Sequence, residues 1–243
     1  MKLHLLCLAT ALVLGTGMSS QAKNADGEKD YKPYPHMFFG LHGGAQATFT
    51  NYKFGKLITP MYGVSFGGYF NPVVGARLHV SGFQSKGGIK SLNTTYDYKY
   101  AVSDLDLMIN LTNIFSANKD RLFNVILLGG VGLNYAWDND DFNGLNAQLG
   151  GIYPLAWEDN RLGHNVRVGM MFDFNIAKHF GMNLELGANN TSDRYNSKTS
   201  NSNDWSANAS IGLIFKFGHK KAEKKEEPAP VEEWATRTDT VWY

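Results

Sequence analysis

Cysteine is almost missing from this chain of 243 residues: the sole one is Cys7. It sits in an apolar N-terminal stretch that reads as a cleavable signal, so the mature protein is expected to hold no disulfide, no Cys-ligated metal and no lipid-anchored thiol. Charge of one sign is also missing. Without Lys2 the 23 basic residues fall to 22 and match the 22 acidic ones, which argues against a nucleic-acid partner. Beyond residue 22 no apolar run approaches the roughly 20 residues that a spanning helix needs. Helical periodicity is scarce as well. A membrane location for the mature chain would therefore require a closed barrel, because only helices and closed barrels satisfy every backbone group in lipid.

The N-terminus has the order of a secretory signal. Met1-Lys2 is a short positive start, residues 3–14 are apolar apart from His4 and Thr10, and Ser20-Gln21-Ala22 places the cut after Ala22. Glycine (26 residues) and aromatics (13%) are abundant in the chain. Beyond the signal it alternates with period 2 in eight runs: residues 36–49, 57–70, 73–84, 98–115, 122–137, 165–177, 182–190 and 205–217. In the sixth run, Val166, Val168, Met170, Phe172 and Phe174 oppose Arg167, Gly169 and Asp173. In the fifth, Ile126 and Leu128 interrupt the alternation. Most runs reach the roughly 9–11 residues of a tilted transmembrane strand. Short connections (71–72, 116–121, 178–181) alternate with longer ones (51–56, 85–97, 138–164, 191–204). That asymmetry is the outer-membrane pattern, with the short side periplasmic.

Alternation leaves open which face is outside, since a soluble eight-stranded carrier turns its apolar face inward. The polar face here carries Gly, Ser, Asn, Asp and Arg, with only Glu185 and Lys216 of the long surface charges. A crowded polar interior suits this composition better than a water-facing surface. Aromatics collect at the run ends: Phe70, Phe115, Phe180, Phe215 and Phe217 by the short turns, and Phe49, Tyr135, Trp137 and Trp205 by the loops. Interfacial girdles look like this. The last run ends Ser210-x-Gly212-x-x-Phe215-x-Phe217, which resembles the C-terminal signal read by the barrel-assembly machinery. The fold expected is all-β, an eight-stranded antiparallel up-and-down transmembrane barrel.

Four segments carry a further likeness: Gly75-Ala76-Arg77-Leu78-His79-Val80-Ser81-Gly82, Asp106-x-x-x-Asn110-Leu111-Thr112-Asn113-Ile114-Phe115, Arg121-x-Phe123-Asn124 with Gly130-x-Gly132, and Asn183-Leu184-Glu185-Leu186-Gly187-Ala188-Asn189. In this order they resemble OmpA-like outer-membrane barrel proteins, in particular the Bacteroidota branch, over residues 36–217. The resemblance implies a barrel, a proline-bearing linker and often a periplasmic domain that grips peptidoglycan. The tail 219–243, with Pro228 and Pro230 among mixed charges, reads as a solvated linker leading into such a domain. The expected division is a signal peptide 1–22, a periplasmic leader 23–35, a barrel 36–218 and a periplasmic linker 219–243. Peptidoglycan contact is expected only through a domain beyond these residues.

The inward ionisable residues are Arg77, Asp104, Asp106, Arg167, Asp173, Glu185 and Lys216, with His42 and His79. They are expected to pair as an ionic plug, since unpaired buried charge is costly. Asn139-Asp140-Asp141-Phe142-Asn143-Gly144 superficially resembles a calcium loop, but Gly150 stands where its last ligand should be a Glu. No metal or other cofactor is expected. Enzymatic barrels of this size, such as lipid A acyltransferases and deacylases, need a His with Ser or Glu near the lipid rim. His164, placed in the long loop 138–164, shows no ordered partner in sequence, so no catalytic residue is assigned. The expected role is structural and envelope-stabilising in a Gram-negative outer membrane, with at most narrow porin-like diffusion. The alternative is a surface adhesin or ligand-binding barrel acting through its loops, in particular residues 138–164 with Tyr153 and Trp157.

Overall fold

The computed structural model describes residues 31–116, 121–193, 195–198 and 203–222. The signal segment, leader residues 23–30, turn residues 117–120 and linker residues 223–243 lie outside the described residues. Eight antiparallel strands form a closed barrel in sequence order. They are β1 (His36–Thr48), β2 (Ile58–Tyr69), β3 (Val74–Ile89), β4 (Thr94–Asn110), β5 (Phe123–Trp137), β6 (Asn160–Phe174), β7 (Phe180–Thr191) and β8 (Asp204–Phe217). Closure comes from β1 pairing with β8, from Met37 opposite Phe217 to Thr48 opposite Ser206. Closure removes the sheet edges over the span where every strand has a partner on both sides; the β3–β4 hairpin runs beyond it, from Gln84 opposite Lys99 to Ile89 opposite Thr94.

Alternation sorts the side chains as the sequence predicts, with the greasy face outside. Leu105 and Val131 are 62% and 63% exposed, whereas Arg77 is 2% exposed and Glu185 is 0%. A water-soluble barrel would have the reverse distribution. Ile126 and Leu128 do not disturb the register. Both point inward, where they meet Phe38, Tyr69, Met108, Met171 and Ile214 in an apolar layer at the short-turn end of the lumen.

Several boundaries differ from the sequence expectation. The connection expected over residues 85–97 is mostly hairpin: β3 and β4 stay paired up to Ile89 and Thr94, leaving a turn at residues 90–93. Asn93 closes that turn with φ 48°, a conformation its short amide side chain tolerates. At the other end β4 stops at Asn110 rather than running to residue 115. The Asn110 side chain accepts a hydrogen bond from the Asn113 amide (3.0 Å) and caps a one-turn helix, α1 (Leu111–Phe115). The strand expected from residue 165 begins at Asn160, so His164 lies in β6 and not in a loop. The segment compared with a calcium loop is instead helix α2 (Asp140–Gln148).

Two short segments outside the barrel are also ordered against it. Tyr31 pairs with Lys221 in an isolated antiparallel bridge, and the Lys32 amide donates to the Lys220 carbonyl (2.9 Å). Tyr34 packs edge-on against Tyr69. Tyr34 thereby covers the apolar layer at the short-turn mouth.

Candidate functional site

The lumen is built in three layers, each set by which inward positions carry apolar, ionic or aromatic side chains. The apolar layer of Ile126, Leu128 and their neighbours forms the floor. Above it the chain gathers most of its buried charge. Arg77 on β3 donates from Nε to Asp106 Oδ2 on β4 (2.8 Å), and its Nη2 lies 2.7 Å from Glu185 Oε2 on β7. Arg167 on β6 pairs with the other Glu185 oxygen, and its Nη1 lies 3.5 Å from Asp106 and 3.6 Å from Asp104. Asn165 donates to the remaining Asp104 oxygen at 2.7 Å. Two guanidiniums therefore share three carboxylates, and the planar forks of arginine suit such bridging. His42 and His79 pack edge-on beside this group at 5.0 Å, and His42 Nε2 is 2.8 Å from Ser65 Oγ.

Glycines give these groups their space. A Cβ on Gly130 would lie 2.1 Å from Asp106 Oδ1, and one on Gly212 would lie 2.6 Å from His42 Nδ1. Gly212, named in sequence as part of an assembly signal, thus also has a local packing reason to be glycine. Phe215 and Phe217 of the same segment stack at 6.2 Å on the outer surface.

Asp173 and Lys216 do not join the ionic layer. Their side chains lie 4.0 Å apart, and Lys216 also donates to Asn175 Oδ1. Asp173 sits near the short-turn end of β6, opposite Asn124 and Asn183. The sequence places all seven ionisable residues on one face, but it carries no sign of their height along the barrel, and height separates these two from the other five.

Above the ionic layer, a void of about 20 Å³ remains between residues such as Gln46, Asn134 and Arg167, room for about one water. Next comes an aromatic cap. Tyr96, Tyr98 and Tyr100 on β4 point inward and pack with Tyr195, Trp157, Ile89 and Phe142 of α2. Tyr98 meets Tyr195 edge-on at 5.4 Å, and Tyr96 meets Phe142 at 4.7 Å. Asn139 ties the loops over the cap, donating to the Trp157 carbonyl (2.6 Å) and accepting from Ser197 Oγ (2.8 Å). Sequence reading missed this layer because its members come from four separate segments.

The aromatics expected to form girdles lie on the outer face at the barrel ends. Phe70 is exposed at the short-turn end, as is Phe115 on α1. At the loop end Trp205 is half exposed, and Tyr135 and Trp137 stack at 5.5 Å. His164 does have an ordered partner: Ser192 Oγ lies 3.0 Å from its Nδ1 and accepts from its backbone amide, also at 3.0 Å. Asn203 Nδ2 lies 3.4 Å from His164 Nε2. Sequence missed the pair because the two residues come together only through β6–β7 pairing. Among the described residues, no group of three His, Cys, Asp or Glu side chains is arranged to hold a metal ion. No helix among them is long and apolar enough to cross a membrane, which says nothing against a barrel.

No protein-family model matches the chain. Among curated proteins it is similar to outer membrane protein 40 of Porphyromonas gingivalis, a Bacteroidota species, with 27% identity over 197 residues, 77% of this chain and 48% of that protein. The chain therefore spans about half the length of the curated relative it matches. Solved structures similar in fold include Neisserial surface protein A (9% identity, 74% of this chain and 97% of that one, TM-score 0.48). The attachment invasion locus protein of Yersinia pestis, solved with the heparin analogue sucrose octasulfate, gives 11% identity, 75% and 99% coverage and a TM-score of 0.45. The N-terminal barrel domain of Pseudomonas aeruginosa OprF gives 10% identity, 74% and 99% coverage and a TM-score of 0.41. The sequence match bears out the Bacteroidota resemblance, and the closed inside-out barrel bears out the expected fold. The chain is an outer-membrane β-barrel protein similar to outer membrane protein 40.

Proposed function

We propose that this protein is a structural, envelope-stabilising barrel rather than an open pore or an enzyme. The observation that carries this reading is the filled lumen: an apolar floor, a buried ionic layer and an aromatic cap block the axis in succession. Solute diffusion through such a barrel is at most narrow. The ionic layer acts as a lock, because removing one partner strands buried charge. The Ser192–His164 pair supports no catalysis in this reading. It is a contact between facing residues at the β6–β7 loop end, and among the described residues the far imidazole nitrogen meets an amide and no carboxylate. A lipid A mass shift upon expression would overturn that.

The remaining parts fit the same reading. The signal is cut after Ala22, the loop end faces outside, and Gly212, Phe215 and Phe217 present the strand end to the assembly machinery. In this reading the barrel itself does not grip peptidoglycan; any such contact would be made by a separate domain. The direct test is a deletion strain complemented with this chain. Restored resistance to detergent and bile salts is expected, and it should weaken with an Arg77→Ala chain expressed at equal level. If complementation leaves the envelope as leaky as the deletion, the reading fails. The adhesin alternative predicts instead that removal of residues 144–159 abolishes cell attachment while envelope resistance stays intact.

A further inference from the structure

At the loop end, a cleft of about 710 Å³ opens above the seam of β1 and β8. Its lining includes Phe49 and Trp205, adjacent through a hydrogen bond from the Phe49 amide to the Trp205 carbonyl (2.7 Å). Each is 50% exposed, on the same outer face as the lipid-facing strand residues. The rest of the lining is different in chemistry. Lys90 projects from the β3–β4 turn, and Lys198 comes from the β7–β8 loop with its ammonium donating to the Gly88 carbonyl (2.6 Å). Asn51 and Asn203 add amides. The one carboxylate in the wall, Asp204, is occupied by the Asn196 backbone amide (3.0 Å) and side-chain amide (2.8 Å). Two lysines and several hydrogen-bonding groups thus line the same cleft as two aromatic rings at the loop end of the barrel. Burial holds the Lys198 ammonium below the ordinary lysine range, with Asp204 pulling the other way, so a bound anion would favour its charged form.

We infer that this cleft binds the phosphorylated, sugar-bearing headgroup of a lipid in the surrounding leaflet, with Lys90 and Lys198 on the anionic group and Phe49 and Trp205 against its sugar rings. Aromatic rings at the bilayer interface sit at headgroup level, and lysines near the surface attract anionic lipid. The inference rests on the outer face touching lipid and not on the envelope-stabilising role, so the two can fail separately.

The test uses the full mature chain in detergent, analysed by native mass spectrometry with added lipopolysaccharide, its dephosphorylated form, phosphatidylcholine or inorganic phosphate. One equivalent of lipopolysaccharide should be retained in preference to the other three. Lys90→Gln and Lys198→Gln should each weaken retention about fivefold, and Trp205→Ala should also weaken it, all with unchanged heat-modifiable migration on gels. Equal retention of phosphatidylcholine, indifference to dephosphorylation, or equal affinity for free phosphate would overturn the inference. The dephosphorylation arm needs no variant, so it decides the matter even if a substitution misfolds.

Discussion

Arg77 and Arg167 show how much depends on single side chains in a closed lumen. Each guanidinium faces two or more carboxylates with essentially no water access. Arg77→Ala would leave Asp106 and Glu185 short of a counter-charge, and a loss of about 3–5 kcal/mol is expected. Urea unfolding in lipid vesicles, followed by tryptophan fluorescence, checks this. A Met at the same position should lose nearly as much, because the cost comes from the stranded carboxylates rather than from lost volume. Gly130→Ala tests the same layer from its neighbour. A Cβ at 2.1 Å would displace the Asp106 carboxylate, so a loss of about 1–3 kcal/mol is expected from overpacking. Arg77→Ala and Gly130→Ala should combine to less than their sum, since both act on Asp106.

Among the elements, the β3–β4 hairpin and helix α1 depart most from what alternation suggests. The hairpin extends past the girdle because Tyr96 and Tyr98 have loop partners to bury against, and Lys86 and Asp97 face each other across it at 3.7 Å. Gly87 sits under the Tyr96 ring, with only 2.1 Å available to a Cβ. Gly87→Ala should therefore loosen the cap without unfolding the membrane body. Hydrogen exchange should rise in residues 85–97 and 195–198 and stay slow in β5–β7; uniform protection would contradict this. At the other end, Asn110→Ala removes the cap of α1 and should cost about 1 kcal/mol, measured by the same urea titration.

For the whole molecule, the consequence of three stacked layers is a closed axis. Planar-bilayer recordings should show no stable conductance, and Arg77→Ala should leave that unchanged, because the apolar floor and aromatic cap still block the path. Opening should need all three layers weakened together, for example Arg77→Ala with Leu128→Gly and Tyr98→Gly. A steady ohmic current from the unaltered chain would contradict the layered closure. The ordered bridge of Tyr31 with Lys221 adds a further cover at the short-turn mouth. The β1–β8 seam itself brings the two ends of the barrel sequence to that mouth, as an even strand count implies.

The amino-acid order by itself determined the number of strands and the face each side chain takes, because period-2 alternation is a local property of extended backbone. It also marked the lipid side, since Leu105, Val131 and their neighbours have only acyl chains to meet. It did not determine where the strands end when a capped turn or a hairpin competes, as at Asn110 and Ile89. Nor did it determine which inward residues meet. Arg77 on β3 reaches Glu185 on β7, 108 positions later, while Lys216, on the same inner face, lies apart with Asp173. Alternation fixes in or out, but height along the axis and the partner across the lumen come from the tilt and stagger of a closed sheet. Only the tertiary structure settles those.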